Sequence, residues 1–278
     1  FSSVFNVILD YILVKFTTLG VAGVAWATFL AQGIASALSI TCLVFRIRKI
    51  THIKADLFSF DMLKKILFVA IPSILQQSFV SVGNIFIQGL VNTFGDIIVA
   101  GFSAAGKLNT FTITTLTALG NSMSSYTAQN VGAGKTERIK SGVKSLYLIS
   151  FVITVPLFIL FFFFPEAMMK IFVNGEDISI INSGTEFLKT VSPFYLFISI
   201  KLIIDGVLRG SGVMKMFMIS TFSDLLLRVV LCYTLTPVFN ENGIWYSWPA
   251  GWLLATGISC IFYFTSAWKK NINNLATK

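Results

Sequence analysis

Polar side chains recur at helical spacing within two apolar stretches of the chain. In residues 71–92 they stand three or four positions apart, at Ser73, Gln77, Ser81, Asn84, Gln88 and Asn92. In the following stretch the same steps connect Lys107, Thr110, Thr114, Thr117, Asn121 and Ser124. Steps of three and four place side chains on one face of a helix. Polar groups surrounded by hydrocarbon need protein partners or water, so these faces indicate either a wet cavity or hydrogen bonds between helices.

We favour the wet cavity, because two complete polar faces fall on consecutive stretches and one of them carries a lysine. The residues predicted to line a path for a substrate are Gln77, Ser81, Asn84, Gln88, Lys107, Thr114, Thr117 and Asn121. Pro72 stands near the start of the first stretch and permits a kink in its helix.

Two groups of charged side chains are predicted to pair inside apolar stretches. Lys201, Asp205 and Arg209 are spaced by four residues near the end of one stretch, so they share a helix face. Their pairing either neutralises local charge or acts as a gate at the cytoplasmic end of the helix. Asp224 and Arg228, also four residues apart, lie well inside the next stretch. We expect an ion pair between these two, with direct contact to a substrate as the alternative.

The segment AQNVGAGKTERIK, residues 128–140, resembles the second half of a phosphate-binding loop. The first glycine of that motif should stand at position 129, which is Gln129, and no β-strand pattern precedes it. His52 has no nearby acid or cysteine, and the three cysteines lack metal-site spacing. We therefore expect no nucleotide, no metal, no cofactor and no enzymatic activity.

The composition predicts an all-α polytopic membrane protein. Of the 278 residues, 55% are hydrophobic and only 12% are charged, against about 25% charged in soluble domains. The mean hydropathy is +0.81, and five runs without any charged residue are long enough to cross a bilayer. We predict about eight transmembrane helices, near residues 1–14, 18–44, 63–92, 97–131, 143–165, 184–208, 213–236 and 243–267. The fourth is too long for one straight span, so Gly101, Gly106 and Gly120 are candidate bending points.

The positions of the charges predict the orientation in the membrane. Of the 21 basic residues, 15 fall in alternate loops and in the C-terminal tail. The positive-inside rule places these basic loops, at 46–65 and 132–144, and the tail in the cytoplasm. The net charge of +9 is thereby explained by topology rather than by nucleic-acid binding. The segment at 128–140 becomes a cytoplasmic turn in which Gly132 and Gly134 reverse the chain.

A weak internal repeat predicts the domain organisation. Residues 1–9, FSSVFNVIL, are similar to FSDLLLRVVL at 222–231, and GVAGVAWATFLAQGIAS at 20–36 is similar to GIWYSWPAGWLLATGIS at 243–259. This separation corresponds to six spans, as in transporters built from parallel repeats. We predict that residues 1–48 are the last two helices of a first lobe and that 49–60 link the lobes. Residues 61–270 then form a complete six-helix second lobe, with a cytoplasmic tail at 271–278. Four preceding helices are expected in the full-length protein.

Several segments resemble the multidrug and toxic compound extrusion (MATE) family. They are NVILDYILV, LGVAGVAWATFLAQ, IPSILQQ, VNTFGDIIVAGFSAAGKLNT, AQNVGAGKTERIK, LRGSGVMK and GIWYSWPAGWLLA. The resemblance implies twelve helices in two lobes around a central cleft, in the plasma membrane. It implies export of cationic or amphiphilic compounds in exchange for Na⁺ or H⁺ by rocking of the lobes. We expect the full-length protein to be a monomer.

The sequence departs from the family pattern at one point. Members often carry an acidic residue for ion coupling in the first helix of a lobe, whereas residues 63–92 hold Gln76 and Gln77 and no acid. The coupling ion is therefore left open between Na⁺ and H⁺. A flippase for lipid-linked oligosaccharides or polysaccharides is the alternative function, and it predicts a more cationic cavity.

Overall fold

The computed structural model describes residues 2–50, 58–173, 177–265 and 268–269. Within these ranges the chain forms ten α-helices and no β-strand, which confirms the all-α prediction. The helices are α1 (Ser2–Phe16), α2 (Val21–Ile50), α3 (Phe60–Val91), α4 (Asp96–Gly132), α5 (Glu137–Phe163), α6 (Pro165–Met169), α7 (Ile178–Val191), α8 (Tyr195–Gly210), α9 (Met214–Phe239) and α10 (Glu241–Phe264). His52, most of the predicted linker and the predicted tail lie outside the described residues.

Five helical segments of the described residues are long and apolar enough to cross a membrane. They are Val21–Lys49, Phe60–Phe94, Glu137–Phe163, Ile178–Gly210 and Met214–Phe239. The chain is a polytopic membrane protein, as the composition predicts. The other three predicted spans correspond to α1, which has only 15 residues, to α4, which carries one of the polar faces, and to α10, which contains Pro249.

One predicted span is interrupted, and one predicted loop is shorter than expected. The span predicted at 184–208 lies within the membrane-crossing segment Ile178–Gly210, but that segment consists of two helices, α7 and α8, which are joined by a 3₁₀ turn over Ser192–Phe194. Pro193 explains this break, because proline has no N–H for an internal helical hydrogen bond. The loop predicted at 132–144 is mostly helical, since α5 begins at Glu137.

The short turn between α4 and α5 has the reversal that the sequence predicts. Gly132 is the last residue of α4, and Gly134 takes a φ of 68°, a left-handed conformation that glycine adopts at little cost. The Lys135 N–H donates to the Asn130 carbonyl at 2.8 Å, which closes the end of α4. A helix rather than a strand leads into this segment, which caps the end of α4.

The chain divides into two compact units, residues 1–60 and 61–278. In the first, α1 and α2 pack against each other, and Asn6 Nδ2 donates to Thr28 Oγ1 at 3.3 Å. Ala27 and Ala31 are buried along α2, whereas most large apolar side chains of this unit are exposed. An apolar surface of this kind is typical of a segment surrounded by lipid or by further helices.

The second unit has two hydrophobic clusters along its helices. One is aromatic: Phe102 stacks on Trp245 at a centroid distance of 5.2 Å, and Phe187 packs against both rings. The other joins α4, α5, α8 and α9 around Met123, Ile139 and Ile203. These clusters fix α4, α8, α9 and α10 relative to one another, and those helices form most of the cavity described next.

Candidate functional site

A cavity of about 600 Å³ lies within the second unit, between α3, α4, α8, α9 and α10. Its two sides differ in chemistry. The side formed by α3 and α4, the amide wall, presents mainly neutral amide and hydroxyl groups. The side formed by α8 and α9, the charged wall, presents three cationic and two anionic side chains. Indole rings from α10 complete the lining.

The amide wall contains five of the residues that were predicted to line a path. They are Gln77, Asn84, Thr114, Thr117 and Asn121. Gln77, Asn84, Thr114 and Asn121 are exposed, as expected for groups that face open space rather than packed protein. The residues selected by helical spacing on two separate helices, α3 and α4, therefore line the same cavity.

Three predicted residues do not line the cavity. The Ser81 hydroxyl donates to the Gln77 carbonyl of its own helix at 3.1 Å, and Gln88 Nε2 donates to Asn92 Oδ1 at 2.9 Å. Lys107 is exposed, with its Nζ 6.0 Å from the Phe172 ring centroid. Gln88 lies four residues beyond Asn84, the last lining residue of α3, and Lys107 lies two residues before Asn109, the first lining residue of α4, so spacing alone extended each face too far.

The charged wall begins with an ion pair along α8. Lys201 Nζ lies 3.0 Å from Asp205 Oδ2, and both side chains are buried. The Ser259 hydroxyl of α10 donates to Asp205 Oδ1 at 2.7 Å, and Ser220 of α9 is 2.6 Å from Ser259. Asp205 therefore connects three helices through hydrogen bonds. These contacts restrict the position of the carboxylate.

A second ion pair lies along α9, as the sequence predicts. Arg228 Nη2 donates to Asp224 Oδ1 at 2.8 Å. The Arg228 guanidinium carbon lies 4.5 Å from the centroid of the Trp248 ring, a cation–π geometry. Gly251 of α10 lies directly against Asp224, where a Cβ atom would stand 2.5 Å from Asp224 Oδ1. The charged pair is thus enclosed between α9 and α10.

Arg209 bridges the two walls at one end of the cavity. Its Nη2 donates to Asn121 Oδ1 at 2.6 Å, and its Nε donates to Ser124 Oγ at 3.2 Å. Lys201, Asp205 and Arg209 therefore do not form one continuous chain of ion pairs: the first two pair with each other, and Arg209 binds α4 instead. This contact joins α8 to α4.

Close packing of α4 on α8 sets the distance between the walls. A Cβ atom on Gly120 would lie 2.7 Å from the Leu202 carbonyl oxygen, and one on Gly206 would overlap the Gly120 carbonyl oxygen. Only glycine permits this approach of two backbones. Gly120 was predicted as a bending point, but α4 continues without a break through it, and its structural role is this helix contact.

Several lining residues were missed by the sequence reasoning. Thr221 stands three residues before Asp224 and seven before Arg228, the pair that was predicted, so the spacing rule applied to α9 finds a third polar face. Trp248 and Trp252 gave no such signal, because aromatic residues in apolar helices usually only pack. Asn109 also lines the cavity and accepts a hydrogen bond from the Tyr195 hydroxyl at 3.1 Å.

The arrangement is suited to reversible binding of a polar or charged solute. The described residues contain no group of three or more His, Cys, Asp or Glu side chains placed to hold a metal ion. The cavity combines hydrogen-bonding groups, buried charges and indole faces inside a bundle of apolar helices. Polar cavities of this kind in membrane proteins typically hold a solute or an ion.

Comparison with known proteins identifies the family. The MatE family model matches residues 72–234, more than half of the chain, and the chain belongs to this family. It is 26% identical over 279 residues to the probable multidrug resistance protein YpnP of Bacillus subtilis (strain 168), covering 97% of this chain and 60% of that protein.

Solved structures share the fold. An outward-facing multidrug resistance MATE family transporter of the MOP superfamily matches with a TM-score of 0.83 and 22% identity, over 100% of this chain and 62% of that one. A MOP superfamily transporter from Pyrococcus furiosus, whose binding pocket is described as having reverse polarity, matches with a TM-score of 0.84 and 23% identity, over 96% and 61% of the two chains. The chain thus spans about three fifths of the length of these proteins.

Proposed function

We propose that the full-length protein is a secondary active antiporter of the plasma membrane. It exports small cationic or amphiphilic molecules, drugs among them, in exchange for Na⁺ or H⁺. The observation that best supports this is the 600 Å³ cavity, in which polar and charged groups are collected inside an apolar helical bundle. The protein works as a monomer and uses no nucleotide or other cofactor.

In this proposal two lobes move about a shared site by alternating access. Residues 1–48 supply the last two helices of the first lobe, residues 49–60 link the lobes, and residues 61–270 form the second. The Arg209 contact to Asn121 and Ser124 acts as a gate, because it joins α8 to α4 through hydrogen bonds that can break and re-form. The close Gly120–Gly206 contact keeps α4 and α8 together while other helices move.

Exchange for a cation depends on the two carboxylates of the charged wall. Asp205 and Asp224 each contact a cation of their own helix, Lys201 and Arg228. A proton or Na⁺ that arrives at either carboxylate replaces that cation as its partner. The charge available to a substrate then changes by one, so ion binding and substrate binding become linked.

Transport into inverted membrane vesicles from cells that produce the full-length protein tests this function. Vesicles should accumulate ethidium when a proton or Na⁺ gradient is imposed, and Asp205→Asn should weaken the dependence on that gradient, since only one of the two carboxylates is then left. Glu137→Gln is the matched control, because Glu137 is an exposed acid at the start of α5, outside the cavity. Ethidium accumulation that does not depend on either gradient, or that requires ATP, would contradict the antiport mechanism.

The orientation is tested separately. In a functional protein without native cysteines, a cysteine at Lys135 should react with an impermeant maleimide only after the cells are opened, because the basic turn is proposed to lie in the cytoplasm. Labelling of intact cells at this position would reverse the proposed topology.

A further inference from the structure

The buried edge of the cavity contains hydrogen-bond donors that have no protein acceptor. In the described part of the chain, Arg228 Nε, Trp248 Nε1 and Thr221 Oγ1 are buried atoms without a hydrogen-bond partner, and all three residues line the cavity. The first two groups can only donate. A buried donor left unpaired costs about 1–3 kcal/mol, so these positions favour a ligand that supplies acceptors.

The charges of the cavity favour the same kind of ligand. The lining of the cavity carries a net charge of one positive unit, because it contains three cations, Lys201, Arg209 and Arg228, and two anions, Asp205 and Asp224. Both carboxylates are in ion pairs, and Asp205 also accepts from Ser259. A cationic ligand must compete with a lysine or arginine for either carboxylate, whereas an anionic ligand meets an excess of positive charge.

The positions of the unpaired donors indicate the shape of the ligand. Arg228 and Trp248 are adjacent, since the guanidinium carbon lies 4.5 Å from the indole centroid, and one oxyanion with two oxygens can accept from both. Thr221 lies two turns away on α9, about 10 Å at 1.5 Å per residue. The rings of Trp248 and Trp252 meet edge to face at 5.9 Å and offer an apolar surface beside the charged pair.

We propose that this cavity binds an elongated amphiphile through a carboxylate or phosphate group, which accepts hydrogen bonds from Arg228 Nε and Trp248 Nε1. The apolar body of the ligand lies against the indole rings, and a second polar group reaches Thr221. This inference rests on the proposed transport function, and among the cationic or amphiphilic substrates named there it selects amphiphiles that carry an anionic group.

A series of probes that share one aromatic group, naphthyl, separates the effect of ligand charge on affinity from the effect of ligand size. Binding of 1-naphthyl phosphate, 1-naphthaleneacetate, 1-naphthaleneacetamide and 2-(1-naphthyl)ethylammonium to the purified full-length protein is measured by calorimetry. The two anions should bind at least tenfold more tightly than the ammonium compound. Tighter binding of the ammonium compound, or no binding by any probe, would overturn the proposal; the latter would leave water as the partner of these donors.

Two variants test the residues. Trp248→Phe keeps the aromatic ring but removes the N–H, and should weaken anion binding several-fold while changing acetamide binding less than twofold. The double variant Asp224→Asn with Arg228→Gln removes both charges together, so that no buried charge is left unpaired, and should weaken anion binding at least tenfold. Lys107→Gln is the control, since Lys107 is an exposed cation outside the cavity. Unchanged anion affinity in both test variants would defeat the proposal.

Two further measurements distinguish a lipid ligand from a soluble one, and failure of the anion site from failure of the proposed transport function. If phosphatidic acid in mixed micelles displaces naphthyl phosphate, the same site takes a lipid phosphate; if it does not, the site takes soluble anions, and either result is consistent with the proposal. Arg228-dependent anion binding without accumulation of any probe in vesicles would support the site and contradict the transport function. Gradient-driven ethidium export without anion binding would support the transport function and contradict the anion site.

Discussion

The two walls of the cavity hold polar groups inside an apolar helical bundle in different ways. The amide wall is neutral and largely exposed, and many of its side chains can change partners without leaving a charge behind. Apart from Arg209, the ions of the charged wall are buried and are fixed by intrahelical pairs and by contacts from α10. Substitution in the charged wall should therefore affect folding first, whereas substitution in the amide wall should affect ligand preference first.

The largest effect is expected when one buried ion loses its partner. Asp205→Ala leaves Lys201 buried without a counter-ion and removes the acceptor of Ser259. Breaking a buried pair in this way costs about 3 kcal/mol or more. We expect a large fall in the thermal unfolding midpoint of the purified full-length protein.

The double variant Lys201→Gln with Asp205→Asn is the matched comparison. It keeps side chains of similar size and hydrogen-bonding capacity but removes both charges, so it should recover most of the stability that Asp205→Ala loses. Equal destabilisation by the single and double variants would show that the unpaired charge of Lys201 is not the main source of the loss.

A smaller loss is expected where the two walls meet. Gly206→Ala places a methyl group against the Gly120 carbonyl oxygen and forces α4 and α8 apart. Overpacking of this kind costs about 1–3 kcal/mol, which exceeds the gain in helix propensity of about 1 kcal/mol from glycine to alanine. The unfolding midpoint should fall.

Gly106→Ala provides the control for this substitution. Gly106 is also inside a helix, but no atom lies within 4 Å of the position that its Cβ would take. This variant should be as stable as the parent or slightly more stable. A similar loss in both variants would show that backbone flexibility, and not the close helix contact, is the reason for glycine at position 206.

The walls also differ in how far the sequence predicts them. Helical spacing identified Gln77, Asn84 and Asn121, because a polar face repeats every three or four residues in any exposed or wet helix. The pairing of Asp224 with Arg228 followed from their separation by four residues. In each case the information is local to one helix.

Features that depend on packing between helices were not predictable in this way. The end of the cavity, which excludes Gln88 and Lys107, depends on where neighbouring helices cross. The hydrogen bond from Ser259 to Asp205 and the contact of Trp248 with Arg228 join residues of different helices. The eight apolar stretches likewise predicted the all-α class, but they did not predict the 3₁₀ turn that separates α7 from α8.

The smallest effect on stability, with a clear effect on ligand choice, is expected in the amide wall. Asn84 lines the cavity, whereas Gln88 lies one turn away on the same helix and bonds to Asn92. Asn84→Leu removes a hydrogen-bonding group from the cavity, so relative export of several unrelated drugs should change several-fold. Since Asn84 is exposed, stability should change by less than about 0.5 kcal/mol.

Gln88→Leu is the matched control for this last comparison, because it makes the same kind of change outside the cavity. It should leave the drug profile unaltered. Resistance of cells to each drug, measured beside the unfolding midpoint of each purified full-length variant, separates the two outcomes. If both variants shift the profile equally, the path for the substrate extends beyond the cavity seen here, along the whole polar face of α3. If Asn84→Leu lowers the midpoint and leaves the profile unchanged, the amide wall serves helix packing, and the contrast between the two walls no longer holds.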